Sequence, residues 1–183
     1  MRAILLILTV SGLLYGAYTA QTINGDSVVY DDATSLTWQD NEVVKMTTRT
    51  WDEAIEYCEN LDFADKTDWR LPNFNELYMI ADRSREDPAI DPTFTNTAYD
   101  HYWSSTTDAS ASSVAWGVDF RYGRDYSLDK MDSFYVRCVR SGQIVPSASA
   151  VSVPLSPWTR FAMLLLFALA GFAFVRRTKA RSL

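Results

Sequence analysis

The chain has 183 residues, of which 23 are acidic, 17 basic and 48% hydrophobic, with one histidine and two cysteines. All 23 acidic residues lie between Asp26 and Asp132 and only 11 basic ones fall within 21–143, so that central span carries a net charge of −12. A field of that sign repels polyanions and excludes nucleic acid as the expected partner. The lone histidine, His101, has no positioned partner with which to act as a base beside a nucleophile, and zinc would need three or four His, Cys or carboxylate ligands at the right spacing while the two cysteines are expected to pair with each other.

The N-terminus reads as a secretory leader over residues 1–20. Arg2 precedes an apolar run from Ala3 to Leu14, and the small residues Gly16, Ala17, Thr19 and Ala20 follow. The run is shorter than the roughly 20 residues a spanning helix needs, and Gln21, Asn24 and Asp26 after it are polar. Cleavage near Ala20 is therefore expected. Export sets the redox expectation for Cys58 and Cys138: two thiols in one small exported domain pair as a disulfide, with two buried free cysteines as the alternative.

Residues 21–143 have the length of a single domain with one core. Ser27–Asp31 and Leu36–Gln39 read as short strands around an Asp-rich turn. Thr50-Trp51-Asp52-Glu53 forms a capping box, so a helix should start there. Trp51, Ala54, Ile55, Cys58 and Leu61 then recur at helical spacing, which puts Cys58 on the buried face. A second helix is expected from Asn73, after Pro72, with Glu76 in its first turn. Arg70, just before that turn, is placed to bond carbonyls or Glu76, and Trp69 and Trp103 read as packing residues.

Beyond Asp82 the chain is rich in Pro, Asp, Asn and Thr up to Asp100. Strands are then expected at Tyr102–Thr106, Val114–Phe120 and Phe134–Val139, with Tyr122-Gly123-Arg124-Asp125 as the turn of a hairpin. Alternation within the last strand puts Cys138 on the same side as Phe134 and Val136. Three long loops, Arg83–Tyr99, Thr107–Ser113 and Arg121–Asp132, carry the Tyr, Asp, Ser and Asn residues that contact ligands at low ordering cost. Tyr99, Tyr102, Tyr122, Arg124, Asp125 and Tyr126 are the candidate ligand-binding residues. No cofactor and no catalytic residue is expected. Calcium is the open alternative, since Asp87, Asp91, Asp108, Asp129 and Asp132 offer oxygen ligands. Abundant carboxylates keep an envelope hydrolase as a remote alternative.

The C-terminus carries a second topogenic signal. Residues 144–157 form a Pro/Ser/Ala linker, 158–175 an apolar helix expected to cross the membrane, and 176–183 a basic cytoplasmic tail that places the domain outside the cytoplasm. The apolar core Phe161–Val175 rises only about 22 Å, so Trp158 and Arg160 must make up the mismatch. Val153-Pro154-Leu155-Ser156-Pro157-Trp158, the helix and the Arg cluster resemble the sorting tails of the PEP-CTERM and IPTL-CTERM type, although the Thr and Glu common in those motifs are missing. That resemblance implies a membrane-embedded sorting protease or transpeptidase as a partner, with permanent anchoring as the alternative.

Five ordered motifs carry a second resemblance: Thr34-Ser35-Leu36-Thr37-Trp38-Gln39-Asp40; Trp51 with Ala54, Ile55 and Cys58; Asp68-Trp69-Arg70-Leu71-Pro72-Asn73 with Glu76-Leu77; Tyr102-Trp103-Ser104-Ser105-Thr106; and Tyr135-Val136-Arg137-Cys138-Val139-Arg140. They are similar to the Lcl C-terminal domain of the collagen-like bacterial adhesins. The resemblance implies an α+β, C-type-lectin-like fold, with two helices packed on small antiparallel sheets and a Cys58–Cys138 bridge joining the ends. It also implies a non-enzymatic cell-surface adhesin. That family is linked to sulfated glycans, but a charge of −12 favours a neutral glycan or a protein ligand. A structural component of the envelope or extracellular matrix is the alternative function.

Overall fold

The computed structural model describes residues 18–144. The sorting motif, the expected spanning helix 158–175 and the basic tail lie outside the described residues, as does the leader up to residue 17. Among the described residues no helix is long and apolar enough to cross a membrane.

Two sheets and three short helices make a mixed α/β domain. The first sheet is antiparallel with strand order β1 (Tyr18–Ile23), β2 (Asp26–Asp31), β3 (Leu36–Gln39) and β9 (Val139–Ser141). The second has the order β4 (Thr48–Arg49), β8 (Phe134–Tyr135), β5 (His101–Thr107), β6 (Val114–Asp119) and β7 (Arg124–Asp129). Its single parallel contact joins β5 to β8. Strand β1 begins at Tyr18, three residues before the expected domain boundary at Gln21, and pairs along its whole length with β2.

Helix α1 (Val43–Met46) is one turn with no sequence signature. Helices α2 (Trp51–Glu59) and α3 (Phe74–Met79) start where capping residues put them: the Glu53 carboxylate accepts the Thr50 N–H at 2.9 Å, and Asn73 and Glu76 cap one another reciprocally. These contacts satisfy orphan amides of the first turn and orient each helix as it leaves its loop.

The expected strand Phe134–Val139 is two strands. Residues 134–135 belong to the second sheet and 139–141 to the first, and the extended crossing at 136–138 carries Cys138 between them. The two-residue alternation survives this break, with Phe134, Val136 and Cys138 facing one apolar cluster and Tyr135 and Val139 the other, so periodicity alone could not locate it. Cys58 on α2 bonds Cys138 there, with Cα atoms 5.5 Å apart and both residues fully buried. The bridge therefore ties a helix to the junction of the two sheets, inside one of the two apolar clusters of the core.

Trp69, Arg70 and Leu71 cover the outer edge of β9. Arg70 and Val139 exchange two backbone bonds of 2.9 Å, and the Trp69 indole donates to the Phe63 carbonyl. Trp103 is fully buried in β5 and donates to the Arg49 carbonyl at 2.9 Å. Arg70 makes a bidentate pair with Glu76, both bonds at 2.7 Å. Such forks fix a planar guanidinium in direction as well as position.

Candidate ligand-binding end

Strand β7 is the free edge of the five-stranded sheet, and the turn that feeds it lies beside the loop 82–100. Half of the span expected as the loop Arg121–Asp132 is strand, the six residues of β7: the β6–β7 turn closes with Gly123 N–H donating to Asp119, and Arg124 already pairs with Asp119 in the ladder. Gly123 is needed here, because its φ of +67° disfavours other residues and a Cβ would lie 3.1 Å from the Arg83 side chain.

The expected binding residues separate into three groups. Tyr122, Arg124 and Tyr126 share the hairpin. The Arg124 guanidinium sits 5.6 Å over the Tyr122 ring, and Tyr126 meets the His101 ring edge-on at 4.7 Å. Tyr122 is 46% and Tyr126 39% exposed, so both rings have free faces. Asp125 pairs with Val118 and lies between Arg124 and Tyr126, so the strand's two-residue period points it to the opposite face of the sheet. Tyr99, 51% exposed, stands apart on the rim of a cleft.

Tyr102 is a correction. It is 0% exposed, its hydroxyl donates to the Val44 carbonyl and accepts the Ala98 N–H, and its ring stacks on Tyr135. Burial pushes its pKa up to about 12. Its neighbour His101, taken from sequence as an isolated histidine, instead bonds Asp100 at 2.7 Å and lies between Tyr126 and Phe134. The β5 alternation that turns Tyr102 inward turns His101 onto the Tyr126 face.

The cleft beside Tyr99 has a volume of about 170 Å³ and is formed by Arg85, Ile90, Asp91, Phe94, Thr97 and Tyr99 among others. Its walls come from a loop with almost no regular structure, yet that loop is tightly held. Asp82 N–H bonds Ala89, Ala89 N–H bonds Phe120, and Asp87 N–H bonds Arg121, so the cleft loop is laced to the hairpin turn. Underneath, Asp40 accepts bonds from the amide and hydroxyl of Thr95, each 2.9 Å, and from Arg137 at 2.8 Å. Arg137 is 0% exposed and also donates to the Gln39 and Asn96 carbonyls and the Thr97 hydroxyl. Its guanidinium lies 4.9 Å from the Phe94 ring centre.

Sequence reasoning missed Arg85, Phe94 and Thr97 as cleft residues. The only available signal was the density of Pro and Asp around Pro88 and Pro92, which marks a loop but not its contacts. Among the described residues, no group of three or more His, Cys, Asp or Glu side chains converges as a metal site. Asp91 and Asp87 instead serve the loop itself: one Asp91 oxygen accepts the Thr93 N–H at 2.8 Å, and Asp87 faces Arg121.

No curated protein matches the chain. The profile of the Lcl C-terminal domain matches residues 27–140, from β2 into the closing strand, and so takes in the five-stranded sheet, the first sheet apart from β1, the disulfide and the cleft. The chain belongs to the Lcl C-terminal domain family.

Proposed function

We propose that the protein is a cell-surface, adhesin-like module that binds a neutral glycan or a protein through the end formed by the 82–100 loop and the β6–β7 hairpin, without catalysis. Family membership supports the surface-adhesin class. The observation that carries the location is the lacing of this end. Exposed Tyr99, Tyr122 and Tyr126 sit on segments bonded to each other and to the buried Arg137–Asp40 pair, so their rings are presented with little left to order on binding. The proposal takes the fold as C-type-lectin-like and the chain as exported, then retained or sorted through residues 153–183.

The electrostatics favour an uncharged ligand. Arg83, Arg85, Arg121 and Arg124 at this end are interspersed with Asp82, Glu86, Asp87, Asp91, Asp100 and Asp125, on a domain that is acidic as a whole. A glycan array probed with the full chain, with and without EDTA, tests the reading. Saturable binding to uncharged glycans is expected. A blank array, or binding confined to sulfated glycans, would sink the glycan version; a blank array with no protein ligand either would favour an envelope scaffold.

A further inference from the structure

The geometry points to the cleft beside Tyr99 as a subsite for one neutral pyranose ring, the terminal sugar of a glycan. This assignment rests on the ligand-binding reading above and gives it a ligand class and a set of gripping residues. Size comes first. A volume of about 170 Å³ holds about six water molecules, and it falls below the roughly 300–1,000 Å³ of pockets for drug-sized ligands. One ring fits, and a longer chain must leave the cleft for the surface beyond it.

A pyranose has an apolar C–H face and a rim of hydroxyls, each able to donate and accept. The cleft offers a counterpart to each. Ile90 and Phe94 make a buried apolar floor and the half-exposed Tyr99 ring a flat wall. For the rim, one Asp91 oxygen is occupied by Thr93 N–H, and no hydrogen bond from the described residues reaches the other. The Thr97 hydroxyl accepts from Arg137 at 2.7 Å, so its own hydrogen points away from the guanidinium and is free to donate. Arg85 adds exposed donors at the mouth. Thr95, by contrast, is spent on Asp40.

Rigidity and charge narrow the class further. Arg137 fixes Asn96 and Thr97 from below, so donor and floor are set before the ligand arrives. Glu86 and Asp87 follow Arg85 directly in the chain, and Asp91 shares its cleft, so a carboxylated or sulfated sugar meets repulsion where an uncharged one does not.

Saturation-transfer NMR and amide-shift titration of the full chain with the methyl glycosides of glucose, galactose, mannose and N-acetylglucosamine test this. At least one glycoside should receive saturation on its C–H face and shift the signals of Tyr99 and Thr97. Tyr99→Ala should weaken it by about five- to tenfold, the loss of one aromatic contact. Asp91→Asn, which keeps the oxygen that Thr93 uses, should weaken it as well, while Met46→Ala, exposed on α1, should not. Unchanged affinity in both cleft variants, tighter binding of a uronic acid, or an array hit whose glycan leaves Tyr99 unshifted would each overturn the cleft assignment while leaving the ligand-binding reading intact. A blank array together with no shift from any glycoside would overturn both.

Discussion

Removing the Cys58–Cys138 bridge should lower the melting temperature of the domain by about 17 °C, a magnitude that follows from where the bridge sits in the chain. The two cysteines are 80 residues apart, and closing a loop of that length removes about 4.5 kcal/mol of conformational entropy from the unfolded state. Native strain subtracts little, since the Cα separation of 5.5 Å lies within the ordinary range for disulfides. Unfolding a domain of this size carries an entropy of about 0.27 kcal/mol/K, which converts 4.5 kcal/mol into the shift stated. The perturbation is Cys58→Ala with Cys138→Ala, read by circular-dichroism melts of the full chain beside the oxidised wild type. Both side chains are fully buried, so part of the loss comes from two missing sulfur atoms; full reduction of the wild type, which keeps those atoms, separates the contributions. The variant should also show a steeper urea dependence, because its unfolded chain is less compact. A fall of less than about 5 °C with unchanged urea slope would show that the unfolded chain is already confined without the bridge, and would refute the entropic account.

Gly117→Ala should destabilise the domain by about 2 kcal/mol in urea unfolding, since a Cβ there would stand 2.7 Å from the Tyr102 carbonyl oxygen and collide with Leu128; a neutral or stabilising result would mean that β5 and β7 can move apart. For Glu76, burial pushes the carboxyl up but the Arg70 guanidinium and the Asn73 N–H outweigh it and hold it below its ordinary value. An acid with a depressed pKa stabilises the fold above its unfolded value of about 4.3 and loses that contribution as pH falls through its folded value. Wild type should therefore lose stability on acidification below about pH 4.5 more steeply than Glu76→Gln, and superimposable acid melts would contradict the pairing. Asp40→Ala, which strands the buried Arg137 charge, should cost about 3–5 kcal/mol, measured by the same unfolding; a loss under 1 kcal/mol would show that water reaches Arg137. Tyr18 packs on Phe94 at 5.1 Å and heads the β1–β2 ladder, so cleavage of the proposed leader should leave Tyr18 on the domain, and an intact mass beginning at Gln21 would refute that.

What the sequence made legible was whatever is written in short-range chemistry. Capping residues announced α2 and α3, an Asp-rich turn between short strand-like stretches announced β2 and β3, β-branched and aromatic residues announced β5 and β6, and the cysteine pair announced a bridge. The failures share a cause: they depend on which neighbour a segment meets. Tyr102 and Tyr126 are both tyrosines in strands, yet one faces α1 and the other solvent, and only the register of the five-stranded sheet decides between them. The break at 136–138 is invisible because a chain passing from one sheet to the next keeps its two-residue period. The cleft was illegible for the same reason, being assembled from a segment whose only local signal was proline and aspartate.

Arg137 explains why that segment has a fixed shape at all. Burying a guanidinium costs several kcal/mol of desolvation, and an ion pair with Asp40 at best returns it, so the pair is poor evidence of extra stability. Its two terminal nitrogens donate to the Gln39 carbonyl at the end of β3, to the Asn96 carbonyl and to the Thr97 hydroxyl, while its Nε–H meets no partner among the described residues and the Phe94 ring lies beside it. A buried acceptor left without a partner costs about 1–3 kcal/mol, so moving the loop off these donors is unfavourable. The arginine therefore selects one conformation of residues 94–97 from the many that an apolar residue of equal volume would tolerate. A binding cleft built on irregular backbone needs such a selector, because no ladder of strand or helix bonds sets its geometry. The fold places the selector at the crossing between the sheets, next to the cysteine that locks the same crossing to α2, so the segment that closes the domain also sets the shape of the cleft.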